Sequence, residues 1–308
     1  MKKLAAFVIL LLSANIILLA LARLPINEAS PDIEIAPKIT IRGPRSEGGE
    51  GKPTEQVATG ILGDSPPPPR RRWAVIIGIS DYAGTENDIH YADDDALEML
   101  KTLIEVYNYS RDNILLLISD YKVNNATRED IINAIKWLKR MEKARDEVVF
   151  FYSGHGARGL RADDDPEVVD EGIVPYECTS ESIIWDGELA SMFSDFDTKR
   201  IIFIFDCCYA GGMTDLEAEG RIVVMATTEN GLAYESSTLE NGVFTYYFVE
   251  EGMLQGRADV YDHDRDGDLP EPDDVTIEEA FDYAKPLVEE TAPQTPTISD
   301  SFENDLLL

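Results

Sequence analysis

Two stretches of this chain are apolar on every side and break off into polar, glycine-bearing turns. One runs Val148-Val149-Phe150-Phe151-Tyr152 and then Ser153-Gly154-His155-Gly156; the other runs Ile201-Ile202-Phe203-Ile204-Phe205 and then Asp206-Cys207-Cys208-Tyr209-Ala210-Gly211. A strand without polar alternation needs cover on both faces, which parallel sheets between helices provide. Ala74 to Ile79, Ile114 to Ile118 and Arg221 to Ala226 read the same way. Apolar residues at helical spacing fall between these runs, at Asp94 to Tyr107, at Arg128 to Met141 with Thr127 or Asn125 as a cap, and at Asp186 to Phe193. The pattern predicts an α/β fold of three layers, a mainly parallel central sheet with helices on both faces. Ligands of such sheets bind beyond the carboxyl ends of the strands, where both glycine-bearing turns fall.

The folded domain is expected over residues 73–290. Before it, residues 1–22 carry Lys2 and Lys3, then an almost uninterrupted apolar run from Leu4 to Ala22. That is a signal peptide or a signal anchor, Ala20-Leu21-Ala22 offering a cleavage site, and either one places the rest of the chain outside the cytoplasm. Residues 23–72 are rich in Pro, Gly, Ser and Glu, have no apolar period, and end in Pro66 to Pro69; they read as a disordered linker. Residues 291–308 read as a loose tail with an apolar end, Leu306 to Leu308. The formal net charge of −32 repels phosphates and anionic lipid heads, which argues against nucleic acid and leaves membrane contact to the N-terminal segment. It favours basic partners and divalent cations, although most of the 59 carboxylates serve only to solvate a surface.

Only three histidines occur, and His155 stands between two glycines. Side chains alternate along a strand, so Ser153 and His155 project to one side, as do Asp206 and Cys208. A cysteine near an imidazole acts as a nucleophile where the pair favours the thiolate. A lone histidine is usually structural, but here two strand ends agree. Cys178 offers a disulfide to Cys207 or Cys208 in an exported protein, and pairing with Cys208 silences that thiol.

Histidine first, with the cysteine 53 residues on, resembles the caspase-like cysteine peptidases. Within the caspase-hemoglobinase fold the motifs are most similar to the metacaspases and the archaeal and bacterial legumain-like group. Tyr152-Ser153-Gly154-His155-Gly156 matches the metacaspase histidine motif, and Asp206-Cys207-Cys208-Tyr209-Ala210-Gly211 stands where the nucleophile motif does. The resemblance implies a cysteine endopeptidase acting on polypeptides, with Cys208 as nucleophile, His155 moving the proton, and backbone N–H groups of Gly156 and Cys208 as oxyanion donors. It also places Asp95, Ser153 and Asp206 in an acidic pocket for a substrate Arg or Lys. Ala92 departs from the cysteine often found three residues before the first acid. Legumain-like members carry an acid two residues before the nucleophile and prefer Asn, so a legumain-like peptidase or transpeptidase remains an alternative, as does a non-catalytic binding module.

Calcium enters the reading twice. By offset from the family's site, Asp170, Asp186 and Asp215 fall on ligand positions, while Gly187 replaces another aspartate. Independently, the insertion at 258–280 contains Asp262-His263-Asp264-Arg265-Asp266-Gly267-Asp268, a helix-loop-helix calcium pattern, with Asp262, Asp264, Asp266 and Asp268 as ligands and Glu279 as the candidate bidentate one. An Arg-accepting pocket also makes Arg70 to Arg72 a self-cleavage site.

Overall fold

The structure is a computed structural model that describes residues 33–42, 68–123, 125–162, 167–259, 275–302 and 305–308. The N-terminal apolar segment and the Asp262–Asp268 loop lie outside these residues. Among the described residues, no helix is long and apolar enough to cross a membrane.

A central sheet of six strands carries the fold. Strands β3 (Arg72–Ile79), β4 (Ile114–Ser119), β5 (Glu147–Ser153), β9 (Ile201–Asp206) and β10 (Arg221–Met225) are parallel, and β13 (Thr297–Asp300) adds an antiparallel edge, in the order β13-β10-β9-β5-β3-β4. Every residue of β5 and β9 is buried, as the unbroken apolar runs require. Alternate residues feed two cores. Val149, Phe151, Ile202 and Ile204 pack against α1 (Ala92–Glu105), the helical turns Val243–Thr245 and Tyr246–Leu254 (together α4), and α5 (Ile277–Thr291). Val148, Phe150, Phe203 and Phe205 pack against α2 (Arg128–Met141) and α3 (Asp186–Phe193). Thr127 caps α2, its side chain and that of Asp130 each accepting from the other's backbone N–H.

Two small sheets flank the carboxyl end of the central one. The first has the order β1-β6-β7-β8, from β1 (Ile33–Ala36), β6 (Gly156–Leu160), β7 (Val169–Ile173) and β8 (Ile184–Trp185), all antiparallel. The second joins β2 (Ile39–Ile41), β11 (Tyr234–Ser236) and β12 (Asn241–Gly242), with β2 parallel to β11. Residues 33–41 therefore correct the expectation of a disordered linker throughout 23–72. Ile-Glu-Ile-Ala and Ile-Thr-Ile are too short to stand alone, and they are held by pairing to strands that the folded domain supplies.

The loose tail is corrected as well. β13 completes the sheet edge, Leu306 and Leu308 are buried, and the Gln294 side chain donates to Ala226 O at 2.9 Å and accepts from Tyr234 N at 2.9 Å. Cys178, Cys207 and Cys208 are all free thiols, so neither expected disulfide is present.

Candidate active site

β5 and β9 are neighbours in register, Ser153 opposite Asp206, so the two polar turns leave the sheet side by side. Gly156 then packs on the nucleophile candidate itself: a Cβ there would sit 1.8 Å from the Cys208 carbonyl oxygen and 3.1 Å from its nitrogen. Glycine is demanded by close approach, and no positive φ is involved. Tyr209 does take a left-handed φ of 62°, which swings the chain out of the strand after Cys208, and its ring lies 4.5 Å under the Arg158 guanidinium. Cys207 joins the core cluster of Phe203 and Phe205, whereas Cys208 clusters with Ala36, Tyr209 and Ala233.

His155 is held from three directions. Its ring stacks on Tyr82 at 4.0 Å with an interplanar angle of 1°, its backbone N–H donates to the Tyr82 hydroxyl at 2.7 Å, and its carbonyl accepts from Tyr152 OH at 2.7 Å. Nε2 lies 2.6 Å from the carbonyl oxygen of Asn87. A carbonyl only accepts, so Nε2 carries the hydrogen and Nδ1 is the free base. Nδ1 is buried and makes no hydrogen bond. Tyr82 and Asn87 are functional positions that sequence spacing alone did not reveal, because one acts through its ring face and the other through its backbone.

Asp95, Ser153 and Asp206 converge, and the atom they converge on is the ammonium of Lys38. Its Nζ donates to Asp95 Oδ2 at 3.0 Å and to Ser153 Oγ at 2.8 Å, and it forms an ion pair with Asp206 Oδ1 at 2.9 Å. Ser153 Oγ donates in turn to Asp95 Oδ2 at 2.6 Å. Backbone and hydroxyl groups of the turn into α4 hold the acids: Gly242 N–H donates to Asp95 Oδ1 at 2.7 Å, and Thr245 donates to Asp206 Oδ2 through Oγ1 at 2.6 Å and N–H at 3.2 Å. Gly242 lines the pocket, because a Cβ would stand 2.4 Å from Asp206 Oδ2 and 2.8 Å from Lys38 Nζ. Neither this turn nor Lys38 carries a local signal in the sequence.

The site is closed: His155 is 1% exposed and Cys208 0%. The cover is residues 36–39. Cys208 Sγ donates to Pro37 O at 3.4 Å and accepts from Ala233 N–H at 3.2 Å, while Ile39 N–H donates to Ala233 O at 3.0 Å. Burial pushes the thiol up to about 11, with Asp206 adding to the rise and the Ala233 N–H and Lys38 opposing it. Burial also pulls the imidazole down to about 4, aided by Lys38 and opposed by the Asn87 carbonyl. Covered in this way, both groups are neutral at pH 7. Burial raises Asp95 to about 6, with Lys38 pulling down and Asp206 pushing up. Burial works against charge on Lys38, but the Asp206 and Asp95 carboxylates outweigh it and hold the ammonium protonated.

The expected metal ligands are rearranged. Among the described residues, the acids whose ligand atoms all lie within 4.8 Å of one another are Glu167, Glu171 and Asp186. Asp186 was expected; Asp170 and Asp215 are outside this group, and Asp170 Oδ2 instead accepts from Ala162 N–H. Successive residues of β7 point to opposite faces, which sends Glu171 where Asp170 was expected. Glu279 is the third residue of α5, and its Oε2 accepts from Thr276 N at 3.0 Å and Oγ1 at 3.2 Å in a capping box, while the Asp262–Asp268 loop expected to share calcium with it lies outside the described residues.

A buried imidazole and thiol at adjacent strand ends beside an acidic pocket define a caspase-like α/β domain. Residues 72–217 match the family model of the metacaspase, peptidase C14 domain. Metacaspase-1 of Saccharomyces cerevisiae is 32% identical over 151 residues, covering 47% of this chain and 35% of that protein. Metacaspase-1 of Candida albicans is 33% identical over 158 residues, covering 47% and 34%. Metacaspase-2 of Trypanosoma brucei brucei is 31% identical over 157 residues, covering 49% and 45%. This chain thus matches between a third and a half of the length of those relatives. A solved structure from Geobacter sulfurreducens, 16% identical with a TM-score of 0.51, covers 74% of this chain and 92% of that one and shares its fold. Residues 72–217 are thus similar to the metacaspase peptidase domain, a caspase-like domain.

Proposed function

We propose that this chain is a cysteine endopeptidase that cuts polypeptides after Lys or Arg. The observation that carries the reading is the Lys38 side chain, which enters the Asp95–Ser153–Asp206 pocket, hydrogen-bonds Asp95 and Ser153 and pairs with Asp206, with the Cys208 thiol against the preceding carbonyl. In the reaction Cys208 gives its proton to His155 Nδ1 and its sulfur bonds to the substrate carbonyl carbon. The oxyanion is received by the N–H groups of Gly156 and Cys208. His155 then returns the proton to the leaving amine, and water cleaves the thioester to release the acid. Asn, the legumain-like preference, has no cation to offer two carboxylates, which favours the basic specificity.

Calcium is part of this proposal. Glu167, Glu171 and Asp186 form a hard-oxygen set that suits it, and Glu171 Oε1 has no hydrogen-bond partner. Glu171 also presses on the turn after the nucleophile, since a Cβ on Gly212 would lie 1.9 Å from its Oε2. When bound there, calcium neutralises these acids beside that turn. The chain is proposed to act outside the cytoplasm. Cutting at Arg70 to Arg72 is proposed as an intermolecular event, since Arg72 opens β3 and the thiol lies beyond the opposite end of the sheet, roughly 25 Å away at about 3.3 Å per strand residue.

Fluorogenic peptides ending in Lys, Arg, Asn or Asp, with and without calcium, test the reading. Lys and Arg peptides are expected to turn over fastest, Cys208→Ala to lose activity by up to about 10⁶-fold, and Cys207→Ala to keep it. Turnover that survives Cys208→Ala, or an Asn preference, overturns it.

A further inference from the structure

One loop holds the His155 imidazole from two directions. Residues 80–89 follow β3 and close on themselves: Ile89 N–H donates to Ser80 O at 3.0 Å, Asn87 N–H to Gly84 O at 3.0 Å, and Tyr82 N–H to Asp88 Oδ1 at 3.1 Å. Ala83 N–H, donating to Tyr176 O at 2.8 Å, ties the loop to the segment after β7. From this frame Asn87 O meets the edge of the imidazole at Nε2, and the Tyr82 ring lies against its face.

Tyr82 is itself fixed at its far end. Its hydroxyl accepts from His155 N–H and is hydrogen-bonded to the hydroxyl of Tyr152, which donates to His155 O and accepts from Val174 N–H at 3.2 Å. One pair of tyrosines thus satisfies both the backbone donor and the backbone acceptor of the histidine. Gly154 leaves them the room, since a Cβ there would lie 2.6 Å from each hydroxyl oxygen. Burial keeps the Tyr82 hydroxyl protonated, so the side chain under the imidazole is neutral.

A neutral imidazole gains little from lying parallel over a phenol, because aromatic pairs favour offset or edge contacts. A positive imidazole gains more. The ring face carries the negative part of its quadrupole, and the 4.0 Å between centroids is well inside the roughly 6 Å over which a cation feels it. His155 becomes positive when Nδ1 takes the thiol proton: the S–H bond breaks, the N–H bond forms, and the charge appears in a buried site where attraction of this kind is weakly screened.

We infer that Tyr82 is a positioning residue of the reaction proposed above, on which this role rests: its ring fixes the plane of His155, and its face carries the charge of the imidazolium. Lys38 and Asp88 act on the same imidazole, Lys38 against its charge and Asp88 in favour of it, so the comparison that isolates Tyr82 leaves both in place.

That comparison uses two rings of similar shape and opposite face potential. In the full chain, Tyr82→Phe is set beside protein carrying pentafluorophenylalanine at the same position. Tyr82→Phe, which loses the hydroxyl bonds and keeps the stack, is expected to lower kcat on Lys peptides about fivefold. The fluorinated ring is expected to lower kcat about tenfold further, with KM unchanged. NMR titration of the three histidine side chains, with His155 identified by its absence from His155→Ala, is expected to find His155 titrating about one pH unit lower with the fluorinated ring than with Phe. Equal kcat and equal titration with the two rings overturn the inference, and so does a loss confined to KM, which belongs to a residue that touches substrate. A titration difference with no turnover of any peptide by the unmutated chain leaves Tyr82 as the support of the imidazole and removes the peptidase reading instead.

Discussion

Two clusters of carboxylates among the described residues are satisfied differently. Around Lys38, Asp95 and Asp206 share an ammonium supplied by the chain itself. In the Glu167–Glu171–Asp186 group, burial and the neighbouring acids Glu229, Glu167 and Asp170 push Glu171 up to about 8, against only the pull of Arg158. At neutral pH Glu171 therefore keeps its proton unless a cation replaces it, while Asp95 holds a proton only below about pH 6. The difference teaches how a buried acid is satisfied: by a cation of the fold where one reaches, and by a proton or an ion from solution where none does.

The contrast breaks most visibly at Asp206. Asp206→Asn keeps the shape and can keep an acceptor for Thr245 but removes one of the two charges facing a basic side chain. Measured as kcat/KM on Lys and Arg peptides, it is expected to lose about 10²- to 10³-fold, the scale of breaking a buried ion pair. Turnover of Lys peptides at the unmutated rate would merge the two sites into one class. Glu171→Gln addresses the other side, and calorimetry is expected to show calcium affinity reduced at least about tenfold. The pH dependence has a definite sign. Because Glu171 is protonated below about 8, calcium binding to the unmutated chain releases a proton and tightens as pH rises toward 8, and Glu171→Gln abolishes that release.

The smallest effect belongs to a third carboxylate that the sequence offered as a calcium ligand. Glu279→Ala is expected to cost about 1 kcal/mol of stability through the lost cap of α5, read as a lower melting temperature that calcium does not restore. A calcium-dependent change in that melting temperature would return Glu279 to the metal-binding class.

Much of this was legible because it follows local rules. The unbroken apolar runs at 148–152 and 201–205 announced strands covered on both faces, and alternation along them put Ser153 on the side of His155 and Asp206 on the side of Cys208. The Thr127 cap was readable for the same reason. The antiparallel strands β6, β7 and β8 were not read, because two to five residues with glycines and charges give no period. Glu279 shows an ambiguity of another kind: an acid just inside a helix start fits both a metal loop and a capping box, and the backbone geometry shows the capping box.

The sequence by itself determined the layered α/β domain and the placement of His155 and Cys208 at strand ends, each from the period of a single element or the spacing within one motif. The acidic pocket of Asp95, Ser153 and Asp206 was implied by the family resemblance alone. Only the tertiary structure decided what lies in that pocket. Lys38 stands 57 residues from Asp95 and 115 from Ser153, in a segment whose composition reads as linker and whose strands exist only as partners of β6 and β11. A contact between charges so far apart in the chain leaves no periodic trace, because it is stabilised by desolvation and pairing that arise only once the cleft has formed.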